Sequence, residues 1–279
     1  MTIDTWLRSA NDSLSKSSVQ TASLDALILL EYVISKDRAW ILAHPEVTIT
    51  AKQIHKLKNV LNKRSQHVPI AYILGKSEFY GRTFIINDSV LQPRPESEAF
   101  ISLLEYAFND HKYSSRLPSN PMIADVGTGS GAIGTTLALE YPNCRVELLE
   151  IDHRAAKVAK LNVDLFTLSI PVIMSDLLNN ANHKIDIIVA NLPYVPDTYH
   201  INTAAHHEPK IAIFGGIDGL DLYRRLFKQS SERPFKPLLL LIEALPTQHA
   251  ELVKIAAKNS YGLIKTYDFV QLYAYNCTP

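Results

Sequence analysis

An α/β fold, with a Rossmann-like and mostly parallel sheet of seven strands behind a small helical domain, is predicted by three observations. From about residue 121 short apolar runs alternate with helical stretches. One run ends in the glycine loop Asp125-Val126-Gly127-Thr128-Gly129-Ser130-Gly131, and another, about 60 residues on, ends in Asn191-Leu192-Pro193-Tyr194. The first 75 residues carry helical periodicity instead. Strands that alternate with helices argue for a parallel sheet covered on both faces.

Taken in order, Ser23-Leu24-Asp25 opens a helix whose apolar positions include Leu27, Leu30, Tyr32 and Val33. A second helix runs from Thr50 to Lys63, with Ile54, Leu57, Val60 and Leu61 on one face and Lys52, Lys56, Lys58, Lys63 and Arg64 on the other. That charge run reads first as a solvated face and, more sharply, as a contact surface for an acidic partner. Glu78 to Ile86 reads as a hairpin turning near Gly81. The segment Leu91-Gln92-Pro93-Arg94-Pro95-Glu96-Ser97-Glu98 leads into a helix: Pro95 suits a first turn, and Glu96 and Glu98 complement the positive end of the dipole. Strands are expected at 122–126, 145–150, 171–175, 185–190, 237–243, 262–266 and 269–276, with helices near 131–140, 153–163, 219–231 and 247–258. The chain thus divides into a helical domain (1–75), a hairpin and linker (76–98) and an α/β domain (99–279).

At 279 residues there is room for two domains. Hydrophobic residues at 47% and charged residues at 20% are ordinary for a globular protein. Lys plus Arg equals Asp plus Glu, 28 each, so no whole-chain grip on nucleic acid is indicated. Cys144 and Cys277 are the two cysteines, without disulfide-scaffold or zinc spacing. The opening Met-Thr-Ile-Asp-Thr-Trp lacks the pattern of a signal peptide, and no apolar run reaches the ~18 residues of a membrane span. The cytoplasm is the expected compartment, and without a heptad or edge-pairing signal a monomer is expected.

Glycines between a strand and a helix let the backbone turn sharply and approach a ligand closely. The spacing of Gly127, Gly129 and Gly131 is not a strict GxGxxG, and alone it also fits a tight turn or an NAD site. Glu150, at the end of the next strand and about 20 residues on, is placed to bind ribose hydroxyls. Asp152 competes for that role but looks like the start of the following helix. Asp176 either accepts from an adenine amino group, with Leu177 against the ring, or caps a helix.

The Asn191-Leu192-Pro193-Tyr194 loop decides for S-adenosylmethionine (SAM) and for a nitrogen as methyl acceptor. An amide or adenine nitrogen is a poor nucleophile because its lone pair is delocalised. Acceptors for its hydrogens turn that lone pair toward the methyl. The Asn191 side-chain oxygen and the Leu192 carbonyl can be those acceptors, Tyr194 can cover the flat face of the substrate, and Pro193 stiffens the loop. The gain comes from alignment, so no general base is nominated. His206-His207 has no accompanying carboxylate or cysteine pattern and reads as ordinary loop. Ser97, Ser130 and Ser175 have no base at a recognisable spacing. Glu243 reads as functional or as a strand-end acid, and stays outside the expected site.

With these residues in view, the chain resembles the HemK (PrmC) family, which methylates the glutamine side-chain nitrogen in the Gly-Gly-Gln motif of peptide chain release factors. The resemblance rests on Leu24 to Leu30, Pro69 to Gly75, Glu78 to Gly81, Pro93 to Glu98, Glu208-Pro209 and Gly215 to Asp221, almost the whole length. It implies a class I SAM-dependent methyltransferase domain behind a helical substrate-recognition domain. Release factors are then the partners, with no direct nucleic acid or membrane contact. Four positions depart from the family pattern. Leu192 replaces a proline and Glu150 an aspartate, Pro234 to Pro237 lacks a glycine, and the last strand lacks an arginine. Two other readings compete. An adenine-N6 methyltransferase acting on RNA or DNA would use the same loop, although residues 1–80 hold only ten Lys plus Arg against seven Asp plus Glu. A non-catalytic SAM-fold binding protein would not need Asn191.

Overall fold

The computed structural model describes residues 1–199 and 207–276. The described residues form two compact units, one holding Met1–Gly75 and a second beginning at Lys76.

The first unit is helical: α1 (Ile3–Lys16), α2 (Ala22–Ile34), α3 (Arg38–Ala43), α4 (Ala51–Ser65) and α5 (Ile70–Leu74). Local chemistry sets the boundaries. Thr50 and Gln53 form a reciprocal capping box at the start of α4, and Asp37 accepts from the Trp40 amide to start α3. Gly75, in the left-handed region, ends α5. Ile3, Trp6 and Leu14 of α1 close on Ala26, Leu29 and Leu30 of α2, with Ile41 and Leu57. Two details correct the sequence reading. Tyr32 is exposed, and the buried stripe of α2 runs through Ala22, Ala26, Leu29 and Leu30. Arg64 does not share the solvated lysine face: its half-buried guanidinium lies 2.6 Å from the buried Asp25, which also accepts from Thr21.

The second unit opens with the antiparallel hairpin β1 (Lys76–Phe79) and β2 (Arg82–Ile85), whose Phe79 and Phe84 are wholly buried. A 3-10 turn at Pro95–Glu98 leads into α6 (Ala99–Asn109) and the short α7 (His111–Ser114). There follow β3 (Met122–Val126), α8 (Ala132–Glu140), β4 (Arg145–Glu150), α9 (His153–Leu165), β5 (Val172–Met174) and β6 (Ile187–Ala190). The last elements are α10 (Asp221–Glu232), β7 (Leu239–Glu243), α11 (His249–Lys258), β8 (Tyr261–Tyr267) and β9 (Val270–Tyr275). The seven-stranded sheet has the order β5-β4-β3-β6-β7-β9-β8, with β9 antiparallel to both neighbours and the other pairs parallel. This is the class I methyltransferase arrangement.

The two-residue period of the strands separates two apolar layers. Ile123, Leu148, Ile187, Val189, Leu239 and Leu241 face the hairpin, α6, α8 and α9. Ala124, Val126, Leu149, Ile188, Leu240 and Ile242 face α10 and α11. Residues buried on both faces explain why these strands read as continuous apolar runs.

Candidate active site

Strands β3 and β6 pair in parallel with Val126 opposite Ala190, so Gly127 and Asn191 leave the sheet side by side. From this pair the strand order runs outward in both directions. Ligand crevices of α/β sheets form at such a switch point, at the carboxyl ends of the strands. A cavity of about 430 Å³ opens there, with Gly127, Gly129, Glu150, Asp176, Leu177 and Asn191 to Pro193 in its walls.

The glycine loop is held from beneath. Gly127, Gly129 and Gly131 all have positive φ. A Cβ on Gly127 would lie 2.7 Å from the Leu192 side chain, so glycine here lets the two loops touch. Asp125 is buried and accepts from the Thr128 hydroxyl at 2.6 Å and the Gly134 amide at 2.9 Å. Burial pushes its carboxyl up to about 6, these hydrogen bonds oppose the shift, and the charge of Glu150 adds to it. Thr128 and Ser130 are buried, and with Gly131 they stand behind the cavity wall.

Glu150 and Asp152 both line the cavity but are engaged differently. Glu150 accepts from the amides of Gly129 (2.8 Å), Ile151 (2.8 Å) and Asp152 (3.0 Å). Asp152 is the N-cap of α9, accepting from the Arg154 amide at 2.7 Å. Hydrogen bonding from the Arg154 side chain holds its carboxyl below the usual range. Asp176 follows β5, starts no helix, and pairs with Arg225 at 2.5 Å. Leu177 is buried beside it at φ +50°.

Beside the glycine loop, the Asn191 amide nitrogen donates to Ser97 Oγ at 3.0 Å. Ser97 donates to Glu243 Oε2 at 2.6 Å, and the Tyr194 hydroxyl donates to Glu243 Oε1 at 3.1 Å. Glu243 is 2% exposed. Burial raises its pKa against hydrogen bonds from Ser97, Tyr194 and Asn191. The four wholly buried aliphatics before it, Leu239 to Ile242, contribute roughly 1.5–3 kcal/mol each, enough to carry one buried acid whose oxygens are satisfied. Tyr223, also buried, accepts from the Leu192 amide at 3.0 Å and donates to the Glu243 carbonyl. Gln248 Nε2 donates to the carbonyls of Tyr194 (2.7 Å) and Asp218 (2.8 Å), tying the loop to the Gly215–Leu220 turn. Arg94 pairs with the buried Glu208 at 2.6 Å.

Fold and register therefore bring together every expected site residue, with Thr128, Ser130, Gly131 and Tyr194 one layer behind the wall. Sequence reasoning weighs Ser97 and Glu243 but leaves them outside the site, and it does not single out Tyr223 or Gln248. The one available signal was an acid ending a strand otherwise buried throughout. Of the His206-His207 pair, His206 lies outside the described residues, as does Cys277. No helix of the described residues is long and apolar enough to cross a membrane.

Comparison with known proteins adds ancestry to this geometry. Residues 5–75 match a family profile described as the PrmC N-terminal domain, and residues 113–208 match the methyltransferase small domain. The chain is 36% identical over 212 residues to the release factor glutamine methyltransferase of Bacillus anthracis, covering 72% of each protein. It is 33% identical to that of Koribacter versatilis, over 82% of this chain and 81% of the relative. Among solved structures, the catalytic domain of hMettl16 bound to a MAT2A 3'UTR hairpin superposes with a TM-score of 0.56 at 13% identity, covering 89% of this chain and 91% of that one. That likeness concerns the fold alone.

Proposed function

Because the chain belongs to the release factor glutamine methyltransferase family, we propose that it transfers a methyl group from SAM to the side-chain amide nitrogen of the glutamine in the Gly-Gly-Gln motif of peptide chain release factors. The observation that carries this reading is the β3–β6 register, which sets the glycine loop and Asn191 to Pro193 side by side in the lining of one cavity.

The residues present fit SAM. The cavity is within the size range of small-molecule sites, and glycine at Gly127 and Gly129 leaves backbone exposed to a ligand. Glu150 has used three of its roughly four acceptor positions, and the remaining one suits a ribose hydroxyl. Asp176 offers an acceptor to the adenine amino group and Leu177 an apolar face. Thr128, Ser130 and Gly131 hold the loop's shape. When bound, SAM supplies an electrophilic sulfonium methyl. Asn191 Oδ1 and the Leu192 carbonyl accept the two hydrogens of the glutamine amide, turning its lone pair toward the cofactor side. Pro193 and Tyr194 keep those acceptors in place. Aligning nucleophile and electrophile is worth several kcal/mol of barrier without a strong base.

We assign release factor recognition to the helical domain 1–75, with 76–98 as hairpin and linker and 99–279 as the methyltransferase domain. The protein acts as a monomer in the cytoplasm, without direct nucleic-acid contact. The test offers labelled SAM, a purified release factor and bulk RNA to one preparation, with mass spectrometry as readout. A single methyl on the Gly-Gly-Gln glutamine is expected. Asn191→Ala is expected to lose at least 100-fold in turnover while retaining SAM. Label on RNA adenine instead would overturn the assignment.

A further inference from the structure

Glu243 belongs to none of the motifs that identify the site, yet the site's hydrogen bonds converge on it. Its carboxylate oxygens take the protons of Ser97 (2.6 Å) and Tyr194 (3.1 Å), and its main-chain carbonyl takes that of Tyr223. Ser97, Tyr194 and Asn191 bring three donors to this one carboxyl group, which is 2% exposed, so it meets them as a carboxylate that only accepts. The direction of each bond leading away from it is therefore set. Ser97 has one proton and gives it to Glu243, so Ser97 Oγ has only lone pairs left for its other neighbour. That neighbour is the Asn191 side chain, which meets it with the donor Nδ2 at 3.0 Å. The acceptor Oδ1 is thereby turned the other way.

The two ends of a carboxamide have nearly the same shape, so packing alone does not choose between them. A reversed Asn191 would present NH₂ to the target amide's own hydrogens, donor against donor. We propose that Glu243 and Ser97 are positioning residues that set the sense of the Asn191 carboxamide, so that it offers oxygen to the methyl-accepting nitrogen. This rests on the reading of Asn191 as the acceptor for that nitrogen's hydrogens.

The test uses the full chain, with kcat and KM measured on a release factor, SAM affinity by titration calorimetry and a melting curve for each variant. Ser97→Ala is expected to lower kcat about tenfold, the equivalent of one lost buried hydrogen bond, with SAM affinity within about twofold of wild type. Ser97→Thr, which restores the hydroxyl, should recover most of that loss. Glu243→Met, close in shape and unable to accept from Ser97, should lower kcat at least as far. Because both changes break one chain, Ser97→Ala added to Glu243→Met should cost no more than about another twofold. Should Glu243→Met fail to fold, the Ala and Thr pair at Ser97 still decides. Unchanged turnover in Ser97→Ala, SAM affinity falling in step with turnover, or losses that multiply in the double variant would each overturn the proposal. A wild-type chain that labels RNA adenine and leaves the release factor untouched would overturn the glutamine assignment separately. The same variants then test the network on that amino group.

Discussion

Glu150 and Asp152 stand two positions apart and do different work. Glu150 grips the Gly129 amide as well as facing the cavity, whereas Asp152 caps α9. Glu150→Ala is expected to weaken SAM binding about tenfold and Asp152→Ala about twofold, the latter also losing ~1 kcal/mol of stability as a missing cap. The reverse order in titration calorimetry would move the ribose role to Asp152. Asp125 makes a second prediction. Its pKa rises from 3.8 to about 6 on folding, so between those values the folded chain holds a proton that the unfolded chain has lost. Stability from this group is full below pH ~4, falls as pH rises, and is lost by pH ~6, a change of about 3 kcal/mol. Denaturant titrations across that window should show the decline in wild type and a flatter course in Asp125→Asn. Residues carried by contiguous motifs, such as Gly127 and Asn191, were legible because their neighbours in sequence are their neighbours in the site. Ser97 and Glu243 were not, since 146 positions separate them and only the sheet brings them together. Arg64 is hidden for another reason: it follows Leu57 and Leu61 at helical spacing, so geometry turns it inward although its charge suggests solvent.

The strands and helices of the second unit follow the expected pattern to within a few residues, because two-sided burial leaves an unmistakable apolar signature. The expected start at 185 becomes Ile187, and Asp186 leads into it: its carboxylate accepts from the Met122 amide at 2.8 Å and its carbonyl from Leu238 and Leu239. The helix α1 was not singled out, its core residues Ile3, Trp6, Ala10 and Leu14 being spread among polar ones. Packing between α8, β3 and β4 supplies a prediction at this scale. A Cβ at Gly134 would lie 2.3 Å from the Leu148 side chain and 2.8 Å from Asp125 Oδ2. Alanine gains about 1 kcal/mol of helix propensity over glycine, while overpacking costs about 1–3 kcal/mol. Gly134→Ala should therefore be neutral to ~2 kcal/mol destabilising, in contrast to the gain an exposed helical glycine would give, as read from urea midpoints.

Each unit has its own apolar core, so damage to one should be readable apart from the other. Arg64→Ala leaves the Asp25 carboxylate buried without its cation, a change worth about 3 kcal/mol. Amide exchange should quicken through α1 to α4 while SAM affinity stays within about twofold of wild type. A drop in SAM affinity of tenfold would contradict that separation. The seven-stranded sheet carries a further consequence, in the order in which it is made. Strand β7 is held on one side by β6 and on the other by β9, whose Val270 pairs with Glu243. On the ribosome Leu239 is polymerised about 30 residues ahead of that partner, a lag of a few seconds at ~5–20 residues per second. Throughout that interval a nascent chain carries a five-residue aliphatic run, Leu238 to Ile242, with one edge unpaired. A message truncated between the Glu243 and Val270 codons thus leaves the cell with an open sticky ribbon for its chaperones to handle, and not with a quiet, folded, merely inactive enzyme.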